Sequence, residues 1–213
     1  MASAGELREV FEHCGAATVG EAGGSPAAAR IRPVWPGARV AGPALTVVCA
    51  PGDNLAVHVA VARAAPGTVL VVEAAAEPGR GYWGEVLTTA ALERRVAGLV
   101  IDGGVRDVDA LERSRFPVFA PVIALPGATK DRGGTVGGAA RVGGVVVASG
   151  DWVVADTDGV VFVPAGRAAQ VAAAARARAE REARLLEELR AGRTTLELLG
   201  LDPSAVVVAE PGG

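Results

Sequence analysis

Gly98-Leu-Val-Ile-Asp102-Gly-Gly-Val-Arg106-Asp107 decides the fold. An apolar run of strand length ends on an acid, and two glycines follow at once. That is a buried strand running into a tight turn, with a new element starting at Asp107. Working outward, Thr68–Glu73 (TVLVVE) is another buried strand and Phe116–Ala120 a third. Helical segments are expected between them, over Gly84–Val96 and Asp107–Arg113. Strand, helix, strand, helix, strand in that order predicts parallel pairing with helices on the sheet faces.

The flanks complete an α/β architecture. Ser3-x-x-Glu6 is a capping box that opens a short helix through Cys14. Thr18–Pro36, rich in Gly, Ala and Pro, reads as irregular. Arg39–Ala50 (RVAGPALTVVCA) is an apolar run broken by Gly-Pro, hence one bent strand or two short ones. Asp53 is positioned to N-cap a helix that runs to about Ala64 and stops at Pro66-Gly67. Glycine dominates Lys130–Gly144. Three short strands follow at Val145–Ala148, Trp152–Ala155 and Val160–Val163, close enough together to be antiparallel. A long Ala/Arg/Glu helix is expected from Arg167 to Ala191, ending at Gly192, and Thr194-x-x-Glu197 caps one last turn. The expectation is a single layered domain over 1–213, with a central β portion flanked by helices and a long C-terminal helix.

Composition narrows the function classes. Half of the 213 residues are apolar and the mean hydropathy is +0.34, which supports a sizeable core. The net charge is −3, and arginine supplies all but one of the 21 cationic side chains, the exception being Lys130. The arginines are interleaved with glutamates, so no basic face for nucleic acid is expected. Cys14 and Cys49 are too few for a disulfide framework or a zinc cluster. No run reaches the ~18 apolar residues of a membrane span, and the first residues lack a signal peptide's apolar core. A cytoplasmic protein with no membrane contact is expected.

In open parallel sheets, sites form beyond the carboxyl ends of strands. Asp102 ends such a strand and shapes the turn, while Arg106 and Asp107 stand just past it. Asp107 can bind a hard divalent cation through oxygen, and Arg106 can grip a carboxylate with two hydrogen bonds. Gly79-Arg-Gly81-Tyr-Trp-Gly84 satisfies G-x-G-x-x-G on paper. Five residues separate it from the preceding strand, however, and Tyr82 and Trp83 would crowd a pyrophosphate. Its useful part is Gly84, because free amides at a helix start, residues 84–87, can bind an anion. Lys130 is the one candidate for a Schiff base, but its neighbours Thr129, Asp131 and Arg132 indicate a wet loop. His13 and His58 read as isolated helix residues. Asp156-Thr-Asp158-Gly159 reads as a hairpin turn.

The run from Trp83-Gly-Glu85 to Val100-Ile-Asp102-Gly-Gly-Val-Arg106-Asp107 resembles the signature of the RraA-like proteins, which include 4-hydroxy-4-methyl-2-oxoglutarate aldolases. Further matches are Ala41-Gly-Pro-Ala-Leu-Thr46, Pro51-Gly-Asp-Asn-Leu55, Pro66-Gly67, Gly150-Asp151 and Ala155-Asp-Thr-Asp158-Gly-Val-Val. Together they cover about 15–200. The resemblance implies a layered "swivelling" β/α fold and a homotrimer or hexamer with sites between subunits. It implies a metal-dependent (class II) pyruvate aldolase that also decarboxylates oxaloacetate, using Mg2+ or Mn2+. By position, Asp107 would ligate the metal directly and Glu85 would hold a metal-bound water. Arg106 would grip the pyruvyl oxygens of a small 2-oxo acid, and the amides of Gly84, Glu85, Val86 and Leu87 its carboxylate. Glu182 and Glu21 would come from a neighbouring subunit. Thr18-Val-Gly-Glu21-Ala departs from the family's common Thr-Val-x-Asp-Ala. Other members inhibit a ribonuclease by contact, which is the alternative function.

Overall fold

A computed structural model describes residues 2–207 and 209. The expected domain, 1–213, thus includes residues 1, 208 and 210–213, which lie outside the described residues. The alternation around Gly98–Asp102 forms as its pattern dictates. Val69–Glu73, Gly98–Asp102 and Val118–Ala120 pair side by side and parallel, Leu70 opposite Leu99 and Val100 opposite Phe119. Helix α1 spans Ala4–Glu21, α2 Leu55–Arg63, α3 Glu85–Glu93, α4 Val108–Arg113, α5 Ala168–Arg190 and α6 Thr195–Leu199.

The strand Val40–Cys49 joins the two halves of a nine-stranded sheet. Residues 44–48 pair parallel with Val69–Glu73, while 40–43 pair antiparallel with Trp152–Ala155. The Gly42-Pro43 break therefore marks a change of partner within one strand. A side chain at Gly42 would fall 2.6 Å from the Gly67 carbonyl oxygen, so only glycine lets the neighbouring turn approach. Trp152–Asp156 and Gly159–Val163 form the expected antiparallel hairpin. Val145–Ala148 pairs elsewhere, with Ala139–Val142. That strand and Gly134–Val136 were hidden by glycine. Gly137, Gly138, Gly143 and Gly144 all have positive φ and serve as turns between short strands.

Two apolar clusters hold the layers. The larger unites α2 and α3 with the parallel strands, including Val57, Leu70, Leu99, Ile101 and Phe119, all fully buried. In the smaller, Leu7, Phe11 and Val19 of α1 and Val171 and Ala175 of α5 cover Trp152 and Val163. Phe11 and Trp152 meet with ring centroids 5.4 Å apart.

Helix α1 corrects one boundary. The capping box on Ser3 forms, but the helix does not end at Cys14. It breaks at Gly15 (φ 75°, ψ 171°) and resumes to Glu21, because Asp156 Oδ2 accepts from the Ala16 amide at 2.8 Å and caps the second piece. Asp156 of the hairpin turn is thus also a helix cap. At α2 the cap position is Asn54, one residue later than expected, although Asp53 Oδ1 accepts from the Leu55 amide at 2.9 Å. The long helix and the Thr194 capping box form as expected.

Candidate active site

Three of the parallel strands, Val69–Glu73, Gly98–Asp102 and Val118–Ala120, are each followed by a short offset strand. Gly81–Trp83, Gly104–Val105 and Val122–Ile123 form a separate three-stranded parallel sheet beyond the carboxyl ends of the main strands. Tyr82 and Trp83 are fully buried in it. The Tyr82 hydroxyl donates to the Glu77 carbonyl and accepts from the Gly52 amide, and Trp83 stacks on Phe116 with centroids 5.6 Å apart. The G-x-G-x-x-G run is therefore core and strand, leaving no pyrophosphate turn. This small sheet aims Gly84 and Arg106 at one another.

The Arg106 amide donates to the Trp83 carbonyl at 2.9 Å, which fixes the chain before Asp107. Asp107 itself is left-handed (φ 58°, ψ 39°), a conformation costing a non-glycine residue about 1–2 kcal/mol. This conformation brings its carboxylate to the start of α3, where Oδ2 accepts from the Glu85 amide at 3.0 Å and lies 3.8 Å from Arg106 Nε. Gly84 permits the approach, since a Cβ there would stand 2.3 Å from Asp107 Oδ2. The first intrahelical bond of α3 is Thr88 amide to Gly84 carbonyl, so the Val86 and Leu87 amides precede the ladder and remain free for a ligand. Of the expected anion-binding amides, the one on Glu85 is taken by Asp107. Glu85's side chain is exposed at the same helix start.

Gly84, Val86, Leu87, Arg106 and Asp107 line a cleft of about 160 Å³ whose remaining wall includes Asn54, His58, Gly127, Ala128 and Lys130, whereas Glu85 is not part of its lining. His58 is therefore not an isolated helix residue, and Lys130 does not simply wave in solvent. Asn54 donates through Nδ2 to the Tyr82 carbonyl at 2.9 Å, while its Oδ1 and His58 Nε2 are buried without a partner among the described residues. Burial, and then the Lys130 charge, lower the His58 pKa below the usual imidazole value, with Asp53 pulling the other way. The one available signal was local: Asn54 and His58 are four residues apart and share a face of α2. Larger grooves run between α1 and α5, where Glu6, Glu9 and Glu180 share the lining with Arg176, and beside Glu21.

Asp102 stays out of the cleft. Its two oxygens accept from Arg30 at 2.7 and 2.6 Å and from the Gly143 amide at 2.9 Å, which ties the strand end to two loops. Glu21 and Glu182 do not line the cleft of their own chain. Glu21 pairs with Arg178 of α5, and Glu182 is exposed on the same helix.

Residues 12–162, most of the chain, match the family described as RraA-like, Aldolase/RraA. The chain belongs to the RraA-like family. A relative from Halalkalibacterium halodurans, provisionally named 4-hydroxy-4-methyl-2-oxoglutarate aldolase, is 36% identical over 137 residues. That match spans 64% of this chain and 65% of the relative, slightly under two thirds of the latter's length. Among solved structures, an uncharacterized protein from Pseudomonas syringae pv. tomato superposes with a TM-score of 0.82 at 29% identity, covering 91% of this chain and 92% of that one. The RNA-processing inhibitor RraA from Thermus thermophilis superposes with a TM-score of 0.62 at 25% identity, covering 77% and 93%. The fold is that of this RraA-like family.

Proposed function

We propose that this RraA-like protein is a divalent-metal-dependent carbon–carbon lyase. It cleaves 4-hydroxy-2-oxo acids of the 4-hydroxy-4-methyl-2-oxoglutarate type to pyruvate and also decarboxylates oxaloacetate. The observation that carries the reading is the meeting of Arg106, Asp107 and the free Val86 and Leu87 amides in one cleft. The donor chemistry fits Mg2+ or Mn2+. Asp107 Oδ2 accepts from the Glu85 amide, and Glu85 carries an exposed carboxylate at the same helix start, which would hold a metal-bound water. No group of three His, Cys, Asp or Glu side chains suited to a metal occurs among the described residues. That sparse set suits Mg2+, which keeps several waters and takes one or two carboxylates plus substrate oxygens.

When bound, the cation would supply Lewis-acid stabilisation of the enolate oxygen. The chain's own residues do the rest. Arg106 donates to the keto and carboxylate oxygens of the 2-oxo acid, and the Val86 and Leu87 amides hold its carboxylate at the positive end of α3. As the C3–C4 bond breaks, the C4 hydroxyl proton passes through water to Glu85. The bonding pair becomes the pyruvate enolate, and Glu85 returns a proton to C3. In oxaloacetate the bond lost is that to CO2; this substrate brings no hydroxyl proton, so C3 of the enolate takes its proton from solvent water relayed through Glu85. Glu21 and Glu182 of neighbouring copies in a homotrimer or hexamer are the candidates to close the site.

Pyruvate release from oxaloacetate and from 4-hydroxy-4-methyl-2-oxoglutarate, with Mg2+ and then with excess EDTA, tests the reading. Arg106→Ala and Asp107→Ala should each lower kcat/KM by about 10²–10³. Activity that survives EDTA, or is unchanged in Asp107→Ala, would sink it. The likeness to the RNA-processing inhibitor RraA supports a second reading, a regulator that binds a ribonuclease. Inhibition of a ribonuclease by protein that releases no pyruvate would favour that reading.

A further inference from the structure

Asp53 is fully buried, and no step of the lyase chemistry uses it. We propose that Asp53 is a positioning residue. Its carboxylate latches together two segments that line the cleft, and so sets where a substrate lies against Arg106 and the Val86 and Leu87 amides. The proposal rests on the lyase reading for the substrates that test it.

The two oxygens serve different segments. Oδ1 accepts from the Leu55 amide at 2.9 Å, at the start of the helix that brings Asn54 and His58 to the cleft. Oδ2 accepts from the Thr129 hydroxyl at 2.8 Å and from the Asp131 and Arg132 amides at 2.6 and 3.0 Å. Those donors belong to the loop that brings Gly127, Ala128 and Lys130. Backbone bonds run alongside. The Thr129 amide donates to the Gly52 carbonyl at 2.8 Å, and the Asn54 amide donates to the Thr129 carbonyl at 2.9 Å. The same turn also holds the strand before Gly84, since the Gly52 amide donates to the Tyr82 hydroxyl and Asn54 Nδ2 to the Tyr82 carbonyl, both at 2.9 Å.

A helix cap does not need this much. One oxygen suffices to cap α2, and a neutral side chain supplies it without the cost of burying a charge. The second oxygen, with three donors from a loop more than seventy residues away in sequence, is surplus to the cap. That surplus falls on the loop that walls the cleft. An amide cannot stand in for the carboxylate, because it has a single acceptor oxygen. Turned toward the loop, the NH2 of an asparagine would face the Leu55 amide; turned toward the helix, it would face the three loop donors. Either way one segment is released.

Steady-state kinetics on oxaloacetate tests the latch. Asp53→Asn should raise KM by about 10-fold, and Thr129→Val, which removes one donor, by about 2- to 5-fold. Mn2+ affinity, read by paramagnetic resonance, should be unchanged in both, because Asp107 is not held by the latch. A mere loss of folded molecules lowers apparent kcat and leaves KM alone. Gly15→Ala, strained at a position outside the cleft lining, is the control and should keep the wild-type KM. An unchanged KM in Asp53→Asn, or an equal rise in Gly15→Ala, would overturn the proposal. Where Asp53→Asn does not fold, Thr129→Val decides alone, and an unchanged KM there is fatal. Calorimetric binding of pyruvate with Mg2+ present separates the latch from the lyase reading. Pyruvate affinity that falls about 10-fold in Asp53→Asn, in protein whose wild type turns nothing over, refutes the lyase and keeps the latch. Wild-type protein that does not bind pyruvate removes both.

Discussion

Asp107 occupies a left-handed backbone position, and its carboxylate caps the helix that carries Glu85. Relaxing the turn would swing that carboxylate away from Arg106, so the strain is held in place by the same bonds that build the site. Gly84→Ala tests this coupling. Its Cβ would collide with Asp107 Oδ2, and an overpacked contact of this kind costs about 1–3 kcal/mol. The displaced carboxylate should lower pyruvate release by about 10²-fold, and a thermal melt reports the stability part separately. Asp53 is the other critical residue. Burial alone would raise its pKa. Hydrogen bonds from the amides of Leu55, Arg132 and Asp131 and from the Thr129 hydroxyl more than offset this and hold the carboxyl well below its ordinary range. A depressed folded value means the stabilisation is complete above the unfolded pKa of about 3.9 and is lost as pH falls through the folded value. Asp53→Asn should therefore cost about 1–3 kcal/mol at pH 7. Urea midpoints measured at pH 7 and pH 3 should show the gap to wild type narrowing in acid.

At the scale of elements, α3 and α4 are short helices that stop on left-handed arginines. Arg95 (φ 56°) follows the cap of α3, and Arg115 (φ 56°) follows that of α4. Glycine is the usual residue there because it has no Cβ to clash. Arg115 also lies 5.5 Å from the centroid of Trp35, which offsets part of its strain. Arg95 is exposed and has no such contact. Arg95→Gly should stabilise the protein by about 0.5–1 kcal/mol, raising Tm by about 1–4 °C in a scanning melt. In α1 the break is the design. Gly15→Ala would force φ 75° on an alanine and place its Cβ 2.9 Å from the Asp156 carboxylate that caps Ala16. A loss of about 1–3 kcal/mol is expected from the same melt.

For the whole molecule, several apolar side chains stand exposed. Leu186, Leu196, Leu199 and Leu201 lie in the C-terminal part of the chain, Ile123 and Leu125 in and just after the last strand of the small parallel sheet, and Val86 at the cleft. Such faces mark contact surfaces. With the proposed donors Glu21 and Glu182 absent from their own cleft, a homotrimer or hexamer is the expected active form. Light scattering should return a trimer or a multiple of it, and dilution below the dissociation range should cost activity while the cleft stays folded. A monomer active at all concentrations would remove the basis for both donors.

The chain by itself determined the parallel core, the capped helices and the pairing of Arg106 with Asp107. Those follow from periodicity, caps and adjacency over ten or so residues, forces that act locally. It also pointed to Gly84 and the helix start, since a glycine before a helical run is legible without partners. Three things were decided only by tertiary structure. Gly137, Gly138, Gly143 and Gly144 took turns at positive φ that let short strands pair, which glycine content alone does not reveal. Asp102 was claimed by Arg30, and Asn54, His58 and Lys130 were gathered into the cleft, through contacts between segments about 20 to 75 residues apart in sequence. A side chain's partner across such a distance depends on how layers pack, and no local pattern encodes it. Lys130 shows this most plainly. Its neighbours in sequence describe a wet loop, and Asp53, far away in the chain, turns that loop into a fixed wall of the site.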